Sequence, residues 1–309
     1  MIITNLLLFI AGIATLLIGG EYLVRGSSRL AKALGINPII IGLTVIAFGT
    51  SAPEFVVSLI AAMKGSSDIA IGNIIGSNIS NIGLILGLTA MISPIFVNNK
   101  LLRVKLPLLI GFTALLIILS LNQYIGKIDG GILFISFIGI LVYFFLISQK
   151  SKKFTIDIED ENINKFKQLG FIIFGIVGLT LGAHLLVDKT IFFARLAGVS
   201  ELIIAISAVA IGTSLPELTA SIIAARKKEH ELILGNIIGS NIFNIGILGL
   251  VALIKPINVN PAIFSFEIPA MAILTLCLLP ILKTDFKLSR VEGGILLALY
   301  IGFILLLFR

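Results

Sequence analysis

Residues 6–20 read LLLFIAGIATLLIGG, and apolar runs of this kind recur down the whole chain with only short polar connectors between them. A helix needs about 20 apolar residues to cross the hydrocarbon layer of a bilayer. Ten candidate spans follow, at 2–22, 38–63, 69–93, 102–122, 128–148, 168–190, 201–225, 232–254, 261–282 and 291–308. Composition agrees: 58% of residues are hydrophobic and 13% charged, about half the charge of a soluble domain. The expectation is an all-α integral membrane protein. Its first run lacks a basic leader and a small-residue cleavage signal, and reads as a retained span.

The net charge of +7 does not indicate a nucleic-acid partner, because the basic residues sit in connectors rather than in a stripe with interleaved aromatics. With the N-terminus outside, the inward connectors hold Arg25, Arg29, Lys32, Lys100, Arg103, Lys105, Lys150, Lys152, Lys153, Lys165, Lys167, Arg226, Lys227, Lys228, Lys283, Lys287 and Arg290. The outward side holds only Lys64, Lys127, Lys189, Arg195, Lys255 and Arg309. That bias predicts a multi-pass protein of the cell (plasma) membrane with both termini extracellular. Cys277 is the single cysteine, so no intrachain disulfide can form.

The two halves repeat. Glu54 matches Glu217 (217 − 54 = 163), and the same shift carries GNIIGSNISNIG at 72–83 onto GNIIGSNIFNIG at 235–246. Each half holds five spans, an odd number, so the second half enters from the opposite side. Such inverted repeats place ion sites near the midplane, between interrupted helices. The predicted organisation is a first five-helix repeat at 1–148, a charged cytoplasmic loop at 149–167 and an inverted second repeat at 168–309.

Each half sets a glutamate beside a proline, in GTSAPE (49–54) and GTSLPE (212–217). Pro53 has no N–H, so the Gly49 carbonyl loses its helical partner. In hydrocarbon a freed carbonyl persists only where protein, water or an ion satisfies it. Thr50 and Ser51 share a helix face with Glu54, and Ala47 lies one turn before them, placed to lend its carbonyl. In the second block Asn73, Ser77 and Asn81 form a polar stripe at spacings of four. Oxygen donors alone suit hard cations such as Ca²⁺, and the absence of His and Cys from both blocks argues against zinc, copper or iron. Two carboxylates balance one Ca²⁺ or two Na⁺, as competition for a shared site requires.

A glutamate at membrane depth costs about 2.5–3.5 kcal/mol or more and marks function by default. Asparagines are weaker markers, since interhelical hydrogen bonding explains many of them. Asn78 and Asn241, one position off the stripe, are assigned to such packing. Glu21 and His184 occupy matching positions with unlike chemistry and read as span ends or lateral contacts. The acidic run Asp157, Glu159, Asp160 and Glu161 lacks the ligand spacing of an EF-hand loop and reads as a solvated loop.

GTSAPE with GNIIGSNISN, repeated as GTSLPE with GNIIGSNIFN, resembles the paired α-repeats of the cation/Ca²⁺ exchanger superfamily, in particular its Na⁺/Ca²⁺ exchanger branch. The resemblance covers nearly the whole chain. It implies that Glu54 and Glu217 are the central Ca²⁺ ligands with Thr50 and Thr213 beside them. It assigns Ser51, Ser214, Ser77 and Ser240 to flanking Na⁺ sites with the carbonyls of Ala47 and Ala210, and it completes the centre with Asn81 and Asn244. The K⁺-dependent branch carries aspartate where Asn81 and Asn244 stand, which speaks against K⁺ co-transport here. The expected function is secondary antiport of Na⁺ against Ca²⁺ by alternating access, with spans one and six sliding as a gate. The transported ions are the partners, with the lipid bilayer, and neither a cofactor nor an obligate protein partner is expected. A Ca²⁺/H⁺ antiporter using the same glutamates is the alternative, and a cation channel ranks behind it. An enzyme is not expected, because no nucleophile–His pair, paired aspartates or HExxH run accompanies the glutamates.

Overall fold

The computed structural model describes residues 2–97, 101–150, 163–197, 212–283 and 286–307. Helix α1 (Ile2–Leu34) is followed by a broken pair, α2 (Pro38–Thr50) and α3 (Ala52–Met63), bent by 45°. Helix α4 (Ser67–Ile92), strand β1 (Ile95–Phe96), helix α5 (Leu106–Leu119), strand β2 (Tyr124–Ile125) and helix α6 (Lys127–Lys150) complete the first half. The second half contains α7 (Lys165–Leu196), α8 (Leu215–Arg226), α9 (His230–Ile254), β3 (Ile257–Asn258), α10 (Ile268–Lys283), β4 (Lys287–Leu288) and α11 (Arg290–Leu307). The acidic run at 157–161 and most of the first half of the expected span 201–225 lie outside the described residues.

Among the described residues seven helices are long and apolar enough to cross a membrane, or eight when the bent α2–α3 pair is taken as one span. The expected span at 102–122 is helical from Leu101 to Leu119, with a π-turn, Leu101–Lys105, running directly into the 14-residue α5. The first helix outruns its expected end at residue 22. Leu23, Val24, Leu30 and Ala31 continue its buried face, and the helix stops only where Gly35 takes φ +65°, the left-handed conformation that terminates helices.

The break between α2 and α3 follows from Pro53. Ser51 leaves helical geometry at φ −84°, ψ 5°, and α3 restarts with its proline in the first turn, where the missing N–H costs no hydrogen bond. Helices α4 and α9 form the centre. Ile71, Ile74, Ile75, Ile79 and Ile82 of α4 are fully buried, as are Ile237, Ile245 and Leu248 of α9 or nearly so. By contrast α1, α6, α7 and α11 present exposed Leu7, Ile135, Ile173 and Leu305, the apolar surface a bilayer covers.

Two short antiparallel ladders join the halves. Ile95 pairs with Leu288 and Phe96 with Lys287, while Ile125 pairs with Ile257 and Tyr124 with Asn258. The repeat exchanges one ladder for the other. Turns repeat as well: Gly65 (φ 81°) corresponds to Lys228 (φ 58°), and Gln123 (φ 58°) to Phe286 (φ 50°), each pair 163 residues apart.

Helices α1 and α7 meet along glycines. A Cβ added to Gly175 would lie 2.5 Å from the Leu23 backbone nitrogen, and one on Gly19 would lie 2.6 Å from that of Leu179. Gly12 and Gly182 repeat this approach one step along the same seam. Backbones this close require residues without side chains.

Candidate functional site

The break in α2–α3 sets Glu54 in the first turn of α3, and the corresponding break sets Glu217 in the first turn of α8. A helix N-terminus carries partial positive charge, which favours a carboxylate there. Both glutamates are 1% exposed. The hydroxyls of Thr213 and Ser77 face the Glu54 carboxylate, and those of Thr50 and Ser51 face Glu217. Each carboxylate is therefore surrounded by hydroxyls drawn partly from the other half. Ser51 Oγ donates to Glu217 Oε1 at 3.3 Å.

The expectation for Ala47 is refined. Its carbonyl accepts the Ser51 N–H at 2.9 Å and lies 3.5 Å from Thr50 Oγ1. Thr50 Oγ1 lies 3.1 Å from the Ile46 carbonyl and 3.3 Å from Asn236 Oδ1. Ala210, the expected counterpart of Ala47, lies outside the described residues.

The asparagine blocks brace the breaks. Asn73 Nδ2 donates to Ser58 Oγ at 2.9 Å and to the Glu54 carbonyl at 3.2 Å, and Asn236 Nδ2 reaches Ser221 Oγ at 3.4 Å. Asn81 and Asn244 face each other's half: Asn81 Nδ2 donates to Asn241 Oδ1 at 3.2 Å, and Asn244 Nδ2 to Asn78 Oδ1 at 3.0 Å. Asn78 and Asn241, read from sequence as packing residues, are thus in direct contact with expected site residues. Their i, i+3 relation to Asn81 and Asn244 was the available signal, but the cross-half partner is invisible in sequence.

Six oxygens of the expected residues are buried without a hydrogen-bond partner among the described residues: Glu54 Oε2, Glu217 Oε2, Ser214 Oγ, Ser240 Oγ, Asn81 Oδ1 and Asn244 Oδ1. Buried polar atoms are ordinarily satisfied, and a buried carboxylate pair without counter-charge costs several kcal/mol per ion. Glu54 and Glu217 are close enough to repel one another. A cation would relieve both penalties. Among the described residues no group of three or more His, Cys, Asp or Glu could hold a metal. The donor set is two carboxylates with neutral oxygens, which fits Ca²⁺ or Na⁺ rather than a softer ion.

A cavity of about 270 Å³ lies beside α7, lined in part by Pro53 and Thr213, neighbours in sequence of Glu54 and Ser214. Thr180, Ala183, His184 and Val187 line one wall, and Pro53, Val57, Gly212 and Thr213 the other. His184, read from sequence as a span end or lateral contact, faces this cavity. In the C-terminal half of α1 and just beyond it, Glu21 pairs with Lys227, Ser28 donates to Glu229, and Asn37 donates to Glu231 at 3.0 Å.

Comparison with known proteins gives one consistent answer. A family model described as sodium/calcium exchanger protein matches the chain twice, at residues 4–146 and 167–309. The chain is 37% identical to the putative antiporter CaxA of Alkalimonas amylolytica, over 97% of each sequence. It is 32% identical to the sodium/calcium exchanger MaX1 of Methanosarcina acetivorans, over 100% of this chain and 99% of that protein. Among solved structures, the sodium-calcium exchanger NCX_Mj soaked with zero Na⁺ and Ca²⁺ superposes with a TM-score of 0.88 at 34% identity, covering 99% of this chain and 100% of that one.

Proposed function

The chain belongs to the sodium/calcium exchanger family, and on that footing we propose that it exchanges Na⁺ for Ca²⁺ at one shared midplane site by alternating access. The reading rests on one observation: Glu54, Glu217, Ser214, Ser240, Asn81 and Asn244 each hold a buried oxygen without a hydrogen-bond partner among the described residues. Glu54 and Glu217 bind Ca²⁺ centrally, with Thr50, Thr213, Asn81 and Asn244 around them. Ser51, Ser77, Ser214, Ser240 and the carbonyls of Ala47 and Ala210 serve Na⁺. Relatives supply the ion pair: MaX1 is named a sodium/calcium exchanger, and NCX_Mj has been soaked with Na⁺, Sr²⁺ and Ca²⁺.

The proposed architecture is ten spans in two inverted five-helix halves, 1–148 and 168–309, joined by a cytoplasmic loop. Both termini face outward across the cell membrane. The ladders support this arrangement, because β1 with β4 joins two connectors assigned by their Lys and Arg content to the cytoplasm, and β2 with β3 joins two assigned to the outside. The cavity beside His184 is then the extracellular access path. The contacts of Glu21, Ser28 and Asn37 with residues 227–231 close the cytoplasmic side. Ions exchange when the α1–α7 pair shifts along the breaks and reverses which side is closed.

The test is ⁴⁵Ca²⁺ uptake into proteoliposomes. An outward Na⁺ gradient drives uptake, and dissipating that gradient stops it. Uptake driven by a pH gradient alone, indifferent to Na⁺, overturns the Na⁺ assignment in favour of H⁺. Single-channel currents without counter-ion dependence overturn antiport itself.

A further inference from the structure

A site built with asparagines has a problem that one built with aspartates lacks. The two ends of a primary amide have nearly the same shape, but only the oxygen can face a cation, and the NH₂ end repels it. Something must fix the flip at Asn81 and Asn244. Resting on the site proposed above, we infer that Asn78 and Asn241 are positioning residues that hold the Asn244 and Asn81 amides with their oxygens turned to the transported ion.

The two donated bonds are reciprocal, while of the two acceptors only Asn78 has its own NH₂ end engaged, Asn241 Nδ2 being buried without a partner among the described residues. Asn244 gives its Nδ2 proton to Asn78 Oδ1 at 3.0 Å, and Asn81 gives its own to Asn241 Oδ1 at 3.2 Å. All four side chains are no more than 2% exposed. Once the NH₂ end is engaged, Oδ1 points the other way, and in both residues Oδ1 is a buried atom without a partner among the described residues. Asn78 is oriented in turn, with its Nδ2 lying 3.5 Å from the Asn241 carbonyl and 3.6 Å from Met271 Sδ. Its accepting oxygen is thereby left for Asn244. Each bond runs between α4 and α9, so the contact that orients an ion ligand also ties one half to the other. Asn81 further stands at the start of a π-turn, Asn81–Leu86, a backbone feature common at functional sites.

Flip control makes a prediction that packing does not, because aspartate offers an oxygen in either orientation. Na⁺-driven ⁴⁵Ca²⁺ uptake is measured for Asn78→Ala, Asn244→Asp and the double variant, with Glu54→Gln alongside. Asn78→Ala raises the Ca²⁺ concentration for half-maximal uptake by about tenfold, as expected when a buried donor loses its acceptor, and changes the maximal rate less. In the Asn244→Asp background the same change leaves half-saturation within about twofold, the non-additivity that marks a direct interaction. Asn241→Ala with Asn81→Asp repeats the cycle at the symmetric position if Asn78→Ala does not yield a monodisperse protein. Asn78→Asp keeps the accepting oxygen and does not raise half-saturation. Equal effects of Asn78→Ala in both backgrounds, no effect in either, or a tenfold rise with Asn78→Asp overturns the inference while Glu54→Gln still abolishes uptake. Full uptake by Glu54→Gln overturns the underlying site assignment instead.

Discussion

Ser51, in the break of the first half, donates its hydroxyl to the carboxylate of Glu217 in the first turn of α8, across 3.3 Å. Neither break is complete alone. The carboxylate of one half is faced by hydroxyls of the other, so the proposed ion site would be complete only with both halves assembled around it.

This relationship ranks substitutions at the site. Truncating one member of a buried charged cluster costs about 2–5 kcal/mol, so Glu54→Gln and Glu217→Gln each lower Na⁺-driven Ca²⁺ uptake by about thirtyfold or more. Ser51→Ala removes a hydrogen bond to a charged group, which contributes about 1.5–3 kcal/mol, and its loss of uptake is smaller. Initial uptake rates in proteoliposomes, normalised to reconstituted protein, check the order; Ser51→Ala as damaging as Glu217→Gln contradicts it.

Ion binding should register as stability. A ligand at about a hundred times its dissociation constant stabilises the folded state by about 2.7 kcal/mol. Ca²⁺ therefore raises the thermal midpoint of the detergent-purified protein, and added Na⁺ raises the Ca²⁺ concentration needed for that shift. Glu54→Gln removes most of the Ca²⁺ response. A Ca²⁺ shift untouched by Na⁺ speaks against a shared site.

Glycine substitutions separate the α1–α7 seam from the rest. A Cβ at Gly175 would stand 2.5 Å from a backbone nitrogen of Leu23, whereas Gly139 in α6 has no described atom within 4 Å of its would-be Cβ. Overpacking costs about 1–3 kcal/mol, while glycine to alanine in an open helix position gains about 0.5–1 kcal/mol. Gly175→Ala lowers the thermal midpoint; Gly139→Ala leaves it unchanged or raises it.

The contacts of α1 with residues 227–229 differ in weight. Glu21 and Lys227 have side chains 49% and 31% exposed, and exposed pairs contribute about 0.2–1 kcal/mol. Ser28 is buried and donates to the Glu229 carboxylate. Ser28→Ala accordingly increases amide hydrogen exchange across residues 227–232 more than Glu21→Gln does. The reverse order shows that the exposed ion pair is the stronger tie.

The parts legible in sequence were those carried by local chemistry. Pro53 beside Glu54 announced the break, because a missing N–H acts on the turn that contains it, and the 163-residue register was visible as repeated strings. Partners joined only by folding were not legible. Asn78 meets Asn244 across 166 positions, and Glu21 meets Lys227 across 206. The two-residue strands were equally hidden, since they exist only through their partners in the other half. α1 runs past the charges that mark its end in sequence because Tyr22–Leu34 keeps an apolar face between them: Arg25, Arg29 and Lys32 alternate with buried Leu23, Val24, Leu30 and Ala31.

The glycine seam has a further consequence. Glycines hold the backbones of α1 and α7 at short range along that line, so in the exchange cycle proposed above the two helices would move as one slab. In that proposal α1 carries the cytoplasmic contacts, and α7 walls the passage beside His184. One displacement then withdraws one barrier as it advances the other. Mutual exclusion of the two openings becomes a property of the linkage itself, and an uncoupled leak would require the slab to split along its tightest contact.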